Sequence, residues 1–144
     1  MSIVCLDVGS HYIGVAASDP HHAIAFSIGA VKRYEDNREF DAVKKLLSDR
    51  PIEKIIVGIP FDKKGNETPQ TQAIRAYAEK LSTHIAGTKA IDVEFFDERF
   101  STRCAHRFLD DAAIDRRARR DVIDKLSAQV ILQDYLDSRA ASHS

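Results

Sequence analysis

The chain has no tryptophan, one methionine and two cysteines among 144 residues. No basic stretch is interleaved with aromatics, which argues against recognition of nucleic acid by stacking of bases. Cys5 falls in a predicted strand and Cys104 in a predicted helix, without metal-ligand spacing. That excludes a disulfide framework and a cysteine metal centre, and both thiols are expected in the core of a reduced, intracellular protein. The six histidines are scattered without ligand spacing, and no serine or cysteine has an evident base partner for nucleophilic catalysis. No signal peptide, lipidation motif or long apolar span is found, so the expected location is cytoplasmic, with no membrane partner. A formal charge of −1 and a pI near 6.6 leave no global attraction to a polyanion. Any such preference must come from where the charges are placed.

What is present reads as one α/β domain. Residues 2–8 and 12–19 form two predicted strands joined by Gly9-Ser10-His11, a spacing that favours a hairpin. A third apolar stretch covers about Ala23 to Val31. From Asp36 onward, Phe40, Val43, Leu46 and Leu47 have helical spacing, Asp36 with Glu39 resembles a capping box, and Pro51 ends the helix. Lys54 to Pro60 is a short buried strand. The polar loop Asp62–Glu67 leads to Thr68, which caps a helix with Pro69 at its first position. Its inner stripe is Ile74, Tyr77, Ala78 and Leu81. Val93, Phe95 and Phe96 mark a fifth strand running into Asp97-Glu98-Arg99. Ser101-Thr102 can cap a third helix to about Asp111, residues 112–120 look irregular and basic, and Asp121 to Asp137 form the last helix. The order is βββαβαβαα, with a single domain over residues 1–138 and a short polar tail at 139–144.

That order has a geometric consequence. In a meander the first and third strands point the same way, and right-handed crossovers add the fourth and fifth parallel to them. The carboxyl ends of strands one, four and five therefore share one edge, where open α/β sheets usually bind ligands. They carry Asp7-Val8-Gly9, Gly58-Ile59-Pro60 and Asp97-Glu98-Arg99.

A carboxylate inside an apolar run is expensive to bury. Asp7 either hydrogen-bonds the turn amides after it or faces a hard divalent cation, which keeps it ionised. Gly9 and Gly14 suit the second role by allowing backbone to approach a phosphate. The D-x-G-x-x-x-x-G-x-A pattern also resembles the first phosphate loop of actin-like ATPases and sugar kinases, whose paired domains need a much longer chain. Alternation along the fifth strand leaves open whether Asp97 or Glu98 faces the site. In the last helix Ala128, Ile131 and Tyr135 follow Asp124 by four, seven and eleven positions, which puts all four on one face. The nine residues from 112 to 120 can reach roughly 30 Å, enough to bring Asp124 back beside Asp7. From Arg99 to Lys125 eight basic residues stand against five aspartates, a net +3 in a protein of −1. Arg99, Arg103, Arg116, Arg117, Arg119 and Arg120, with Lys63 and Lys64 after strand four, suit a phosphodiester backbone; a solvated charged face is the plainer alternative.

Taken together, "LDVGSHYIGVAASDP", "IIVGIPFDKKGNETPQTQ", "FFDERFST" and "DVIDKLSAQVILQDYLD" resemble the YqgF/RuvX family of RNase H-like nucleases, described as Holliday junction resolvases and as pre-16S rRNA nucleases. The resemblance implies an RNase H-like fold with a five-stranded mixed sheet flanked by helices. It also implies a carboxylate site using Mg²⁺ or Mn²⁺, its acids being Asp7, Glu98 in "DERFST" and Asp124 in "IDKLSA". Family members often carry a basic residue at Tyr12 and threonine at Ser10, so a cation near the first turn is missing. The implied function is metal-dependent cleavage of structured RNA at the precursor 5′ end of small-subunit rRNA. Branched DNA is the alternative substrate and requires a homodimer; a nucleic-acid-binding module with a vestigial site is the third possibility.

Overall fold

The computed structural model describes the backbone of residues 1–97 and 116–142, and the side chains of 1–97 and 126–140. Five apolar runs pair into one sheet: β1 (Ser2–Val8), β2 (Tyr12–Ser18), β3 (Ala25–Lys32), β4 (Ile52–Ile59) and β5 (Asp92–Asp97), in spatial order β3-β2-β1-β4-β5. β1 runs antiparallel to β2, and β2 to β3, whereas β4 is parallel to both β1 and β5. The carboxyl ends of β1, β4 and β5 thus lie along one margin, as the element order requires.

β1 is central and buried along its length apart from Asp7, which is half-buried. Its alternating side chains feed two cores, as expected for a strand covered on both faces. Val4, Leu6 and Val8 pack with Val43, Ile74, Ala78, Leu81 and Ile85, beneath α1 (Glu39–Leu46) and α2 (Pro69–Ala86). Ile3 and Cys5 pack with Ala128, Ile131, Leu132 and Tyr135 beneath α3 (Arg116–Ser142). Cys5 is buried and forms no disulfide among the described residues.

α2 begins as its sequence indicates. The Thr68 side chain accepts from the Thr71 amide, Thr71 returns a bond to the Thr68 amide, and Pro69 takes the first turn. α1 differs. Arg38 stands at the N-cap without a side-chain cap, and the Asp36–Glu39 capping box does not form. Asp36 instead accepts a forked pair from the Arg38 guanidinium, at 2.8 Å and 3.0 Å. Glu39 turns inward to 1% exposure, where its oxygens accept from the Tyr77 hydroxyl (2.7 Å) and the Tyr34 amide (3.1 Å). An arginine fork is a stronger partner for Asp36 than an amide, and two inward donors offset much of the burial of Glu39.

The expected helix from Ser101-Thr102 to about Asp111 lies outside the described residues. The last helix is longer than its apolar pattern, running from Arg116 rather than Asp121 and to Ser142 rather than Asp137. Arg116–Arg120 is therefore helical, not irregular: arginine and alanine are strong helix formers, and no glycine or proline interrupts them. Two glutamines tie α3 to the start of β3. Gln133 accepts from the Ala25 amide (2.9 Å) and donates to the Ala23 carbonyl (3.0 Å), and Gln129 donates to the Ala25 carbonyl (3.2 Å). On the other side, Tyr135 meets Phe96 edge-on, donates to Glu94 (2.8 Å) and accepts from Lys54 (3.2 Å).

β3 is an edge strand with one irregularity. Its pairing with β2 jumps from Val15↔Gly29 to Ala16↔Ser27, leaving Ile28 as the extra residue of a bulge, and Gly29 takes a φ of +155°. No helix among the described residues is long and apolar enough to cross a membrane.

Candidate functional site

Asp7 occupies the last turn of the pleat before β1 ends. It pairs with Gly14 on β2 and Gly58 on β4, and Gly58 pairs in turn with Phe96 on β5. Alternation puts this row on the same face as Ile3 and Cys5, the face covered by α3. Along its own row, therefore, Asp7 has only backbone within one strand on either side. A half-buried hard oxygen donor in such surroundings fits a divalent cation as one of its ligands.

The same register separates Asp97 from Asp7. Asp97 pairs with Ile59, and the preceding odd residue, Phe95, belongs to the core beneath α1 and α2. Asp97 thus stands on the opposite face. Glu98, Arg99 and Arg103 lie outside the described residues. Asp124 and the arginines 116, 117, 119 and 120 are in α3, with side chains outside those described. Position 124 is on the helix line of Ala128, Ile131 and Tyr135, all buried against the sheet. Of the three implied acids, only Asp7 has a described side chain. Among the described residues no three His, Cys, Asp or Glu side chains group as a metal site.

The turn after Asp7 is closely specified. The Gly9 amide donates to the Tyr12 carbonyl at 2.8 Å, and a β-carbon at position 9 would lie 2.9 Å from that oxygen. Only glycine avoids the clash, because the obstacle is backbone. Tyr12 pairs with Lys32 on β3 and is 37% exposed. A cation does reach this turn, from a place that the sequence pattern left unmarked. Arg33, the first residue past β3, donates its main-chain amide to the His11 carbonyl (2.8 Å) and its guanidinium to the Gly9 carbonyl (2.7 Å). The signal was available in principle, because a strand parallel to β1 in the meander must end at the margin where β1 ends.

At the end of β4 the loop is folded rather than loose. Asp62 accepts from the amides of Lys64 (2.9 Å) and Asn66 (2.8 Å), and the Thr71 hydroxyl donates to the Pro60 carbonyl. Lys63 and Lys64 are exposed on this loop, on the carboxyl margin where their sequence position puts them.

Residues 1–138 match the model of the RuvX family, described as Holliday junction resolvase. A protein of Moorella thermoacetica named "Putative pre-16S rRNA nuclease" is 40% identical over 137 residues, covering 95% of each chain. A Listeria monocytogenes protein of the same name is 39% identical over 140 residues, covering 96% of this chain and 99% of its own. Thermus thermophilus RuvC, solved in complex with a Holliday junction substrate, superposes with a TM-score of 0.59 at 14% identity over 99% of this chain and 97% of that one. The fowlpox virus Holliday junction resolvase gives 0.52 at 16%, over 96% and 99%. At such identities the structural likeness establishes the fold, which is RNase H-like.

Proposed function

This chain belongs to the RuvX family, and from that membership we propose that it is a divalent-metal-dependent endonuclease that hydrolyses phosphodiester bonds and processes the 5′ end of pre-16S rRNA. The observation that carries this proposal is the position of Asp7 on the α3 face of the sheet margin, between Gly14 and Gly58. Its relatives' shared name supplies the RNA substrate.

In this proposal Asp7, Glu98 and Asp124 hold the metal. When bound, Mg²⁺ or Mn²⁺ ions supply an activated water and stabilise the leaving oxygen of the phosphodiester. Asp7 contributes an oxygen ligand from a rigid strand. Lys63 and Lys64, on the folded loop after β4, bind the sugar-phosphate chain, as do Arg99, Arg103, Arg116, Arg117, Arg119 and Arg120. Such contacts make affinity fall with salt and carry little sequence information. The proposed domain covers residues 1–138, and pre-rRNA as substrate implies a cytoplasmic protein.

Branched DNA is the second substrate class, favoured by the description of the family itself. Symmetric cutting of a junction needs two active sites and so a homodimer. The deciding experiment presents pre-16S rRNA fragments and four-way junctions side by side with Mg²⁺ or Mn²⁺, using Asp7→Asn as control. Metal-dependent cleavage of the RNA that is lost in Asp7→Asn is the expected result. Full activity in Asp7→Asn would overturn the site assignment, and cleavage of junctions alone would transfer the function to DNA.

A further inference from the structure

Arg33 touches the site margin from the opposite face of the sheet. Its two bonds bracket the exposed Gly9-Ser10-His11 turn, one on the Gly9 carbonyl and one on the His11 carbonyl. The guanidinium is itself supported, with its carbon 4.2 Å from the centre of the Tyr77 ring. Tyr77 is fixed in turn by the edge of Phe40, at 5.3 Å and 82°, and by the hydroxyl bond to the buried Glu39. Burial and that bond push the Tyr77 phenol well above its usual range, so it remains a neutral donor. The chain of contacts runs from the interior of α1, through α2, to the turn that begins two residues after Asp7.

We propose that Arg33 is a positioning residue of the candidate active site, a clasp that uses the packing of α1 and α2 to fix the Gly9–His11 turn and with it the setting of Asp7. Its consequence for catalysis rests on the nuclease function proposed above. A turn of this kind needs the help. All three of its residues are exposed and one is glycine, so the segment belongs to the least protected part of the fold. A ligating carboxylate must be held to within roughly 0.5 Å of its productive place. Arginine suits the task because one planar group can lie on a ring with its face and donate in its plane; lysine provides the charge without the plate. Among the described residues Arg33 forms no ion pair; its guanidinium is engaged by the Gly9 carbonyl and by Tyr77, through the ring and the hydroxyl.

The test compares wild type, Arg33→Met and Arg33→Lys by three measurements: amide hydrogen exchange, Mn²⁺ affinity by titration, and RNA cleavage resolved into kcat and KM. In Arg33→Met, exchange at the Gly9 amide, which donates to the Tyr12 carbonyl within this turn, should rise about tenfold while Ile56 and Val57 of β4 are unchanged. Mn²⁺ binding should weaken several-fold, and kcat should fall about tenfold with KM within about twofold. Arg33→Lys should recover part of each loss, and it serves for the comparison if Arg33→Met does not fold. Unchanged exchange at the turn overturns the clasp. Raised exchange with unaltered kcat and Mn²⁺ affinity reduces Arg33 to a structural tie and overturns its positioning role. Wild-type protein that neither cleaves nor binds Mn²⁺ overturns the nuclease function and the catalytic part of this inference, while exchange still decides whether the clasp exists.

Discussion

The two faces of the sheet are built from the same strands and serve different ends. Toward α1 and α2 the strands present Ile13, Val15 and Ala17 from β2, Val4, Leu6 and Val8 from β1, and Ile55, Val57 and Ile59 from β4, every one buried. Toward α3 the matching rows are Gly14 and Ala16, then Ile3, Cys5 and Asp7, then Ile56 and Gly58. In β2 and β4 side-chain bulk thus shrinks toward the carboxyl margin on the α3 face and not on the other. A period of two lets one sequence fill a core and clear a site at once, because neighbouring residues answer to different faces.

Exchanging properties between the faces tests that division. The largest effect is expected for Asp7→Asn, which should lower metal-dependent cleavage about 10³-fold. The converse change on the packing face, Leu81→Ala, should cost about 2–5 kcal/mol in denaturant unfolding and leave kcat intact below the melting transition. Gly58→Ala puts a methyl on the row of Asp7 and should reduce kcat about tenfold, more than it reduces stability. If Leu81→Ala and Gly58→Ala alter activity and stability in the same proportion, the faces do not divide the work.

The smallest effect belongs to the anchor of α3. Desolvation works against the Glu94 carboxylate, but bonds from Tyr135 and Lys54 outweigh it and hold the carboxyl below its ordinary 4.5. A lowered folded-state value stabilises the fold above the unfolded value, and that contribution is lost as pH falls through the folded one. Tyr135→Phe should therefore cost about 1 kcal/mol or less at neutral pH. Chemical denaturation from pH 7 downward should show the difference from wild type narrowing below the ordinary carboxylate range.

Much of this architecture could be read directly. Apolar runs and handed crossovers are enough to order the strands, and Thr68-Pro69 marks its helix start through contacts three residues apart. What escaped depended on partners remote in sequence. Glu39 looked like a cap because its true partner, the Tyr77 hydroxyl, is 38 positions away. The face taken by Asp97 could not be read until pairing with Ile59 fixed the pleat. The basic run at 116–120 resembled a loop because charge says little about helix propensity. Arg33 carried no mark in the sequence, and only the fold brings it to Gly9. Of the acids, Asp7 was legible as a carboxylate at the margin, whereas Glu98 and Asp124 were drawn from the family pattern.

The misfit at Ile28 and Gly29 bears on self-association. A straight outer strand offers its spare amides and carbonyls to any similar strand, and two identical sheets can then fuse into one continuous ribbon. The kink breaks that template midway along β3. Should two copies act together on a branched substrate, this edge would be a poor place for their sheets to join.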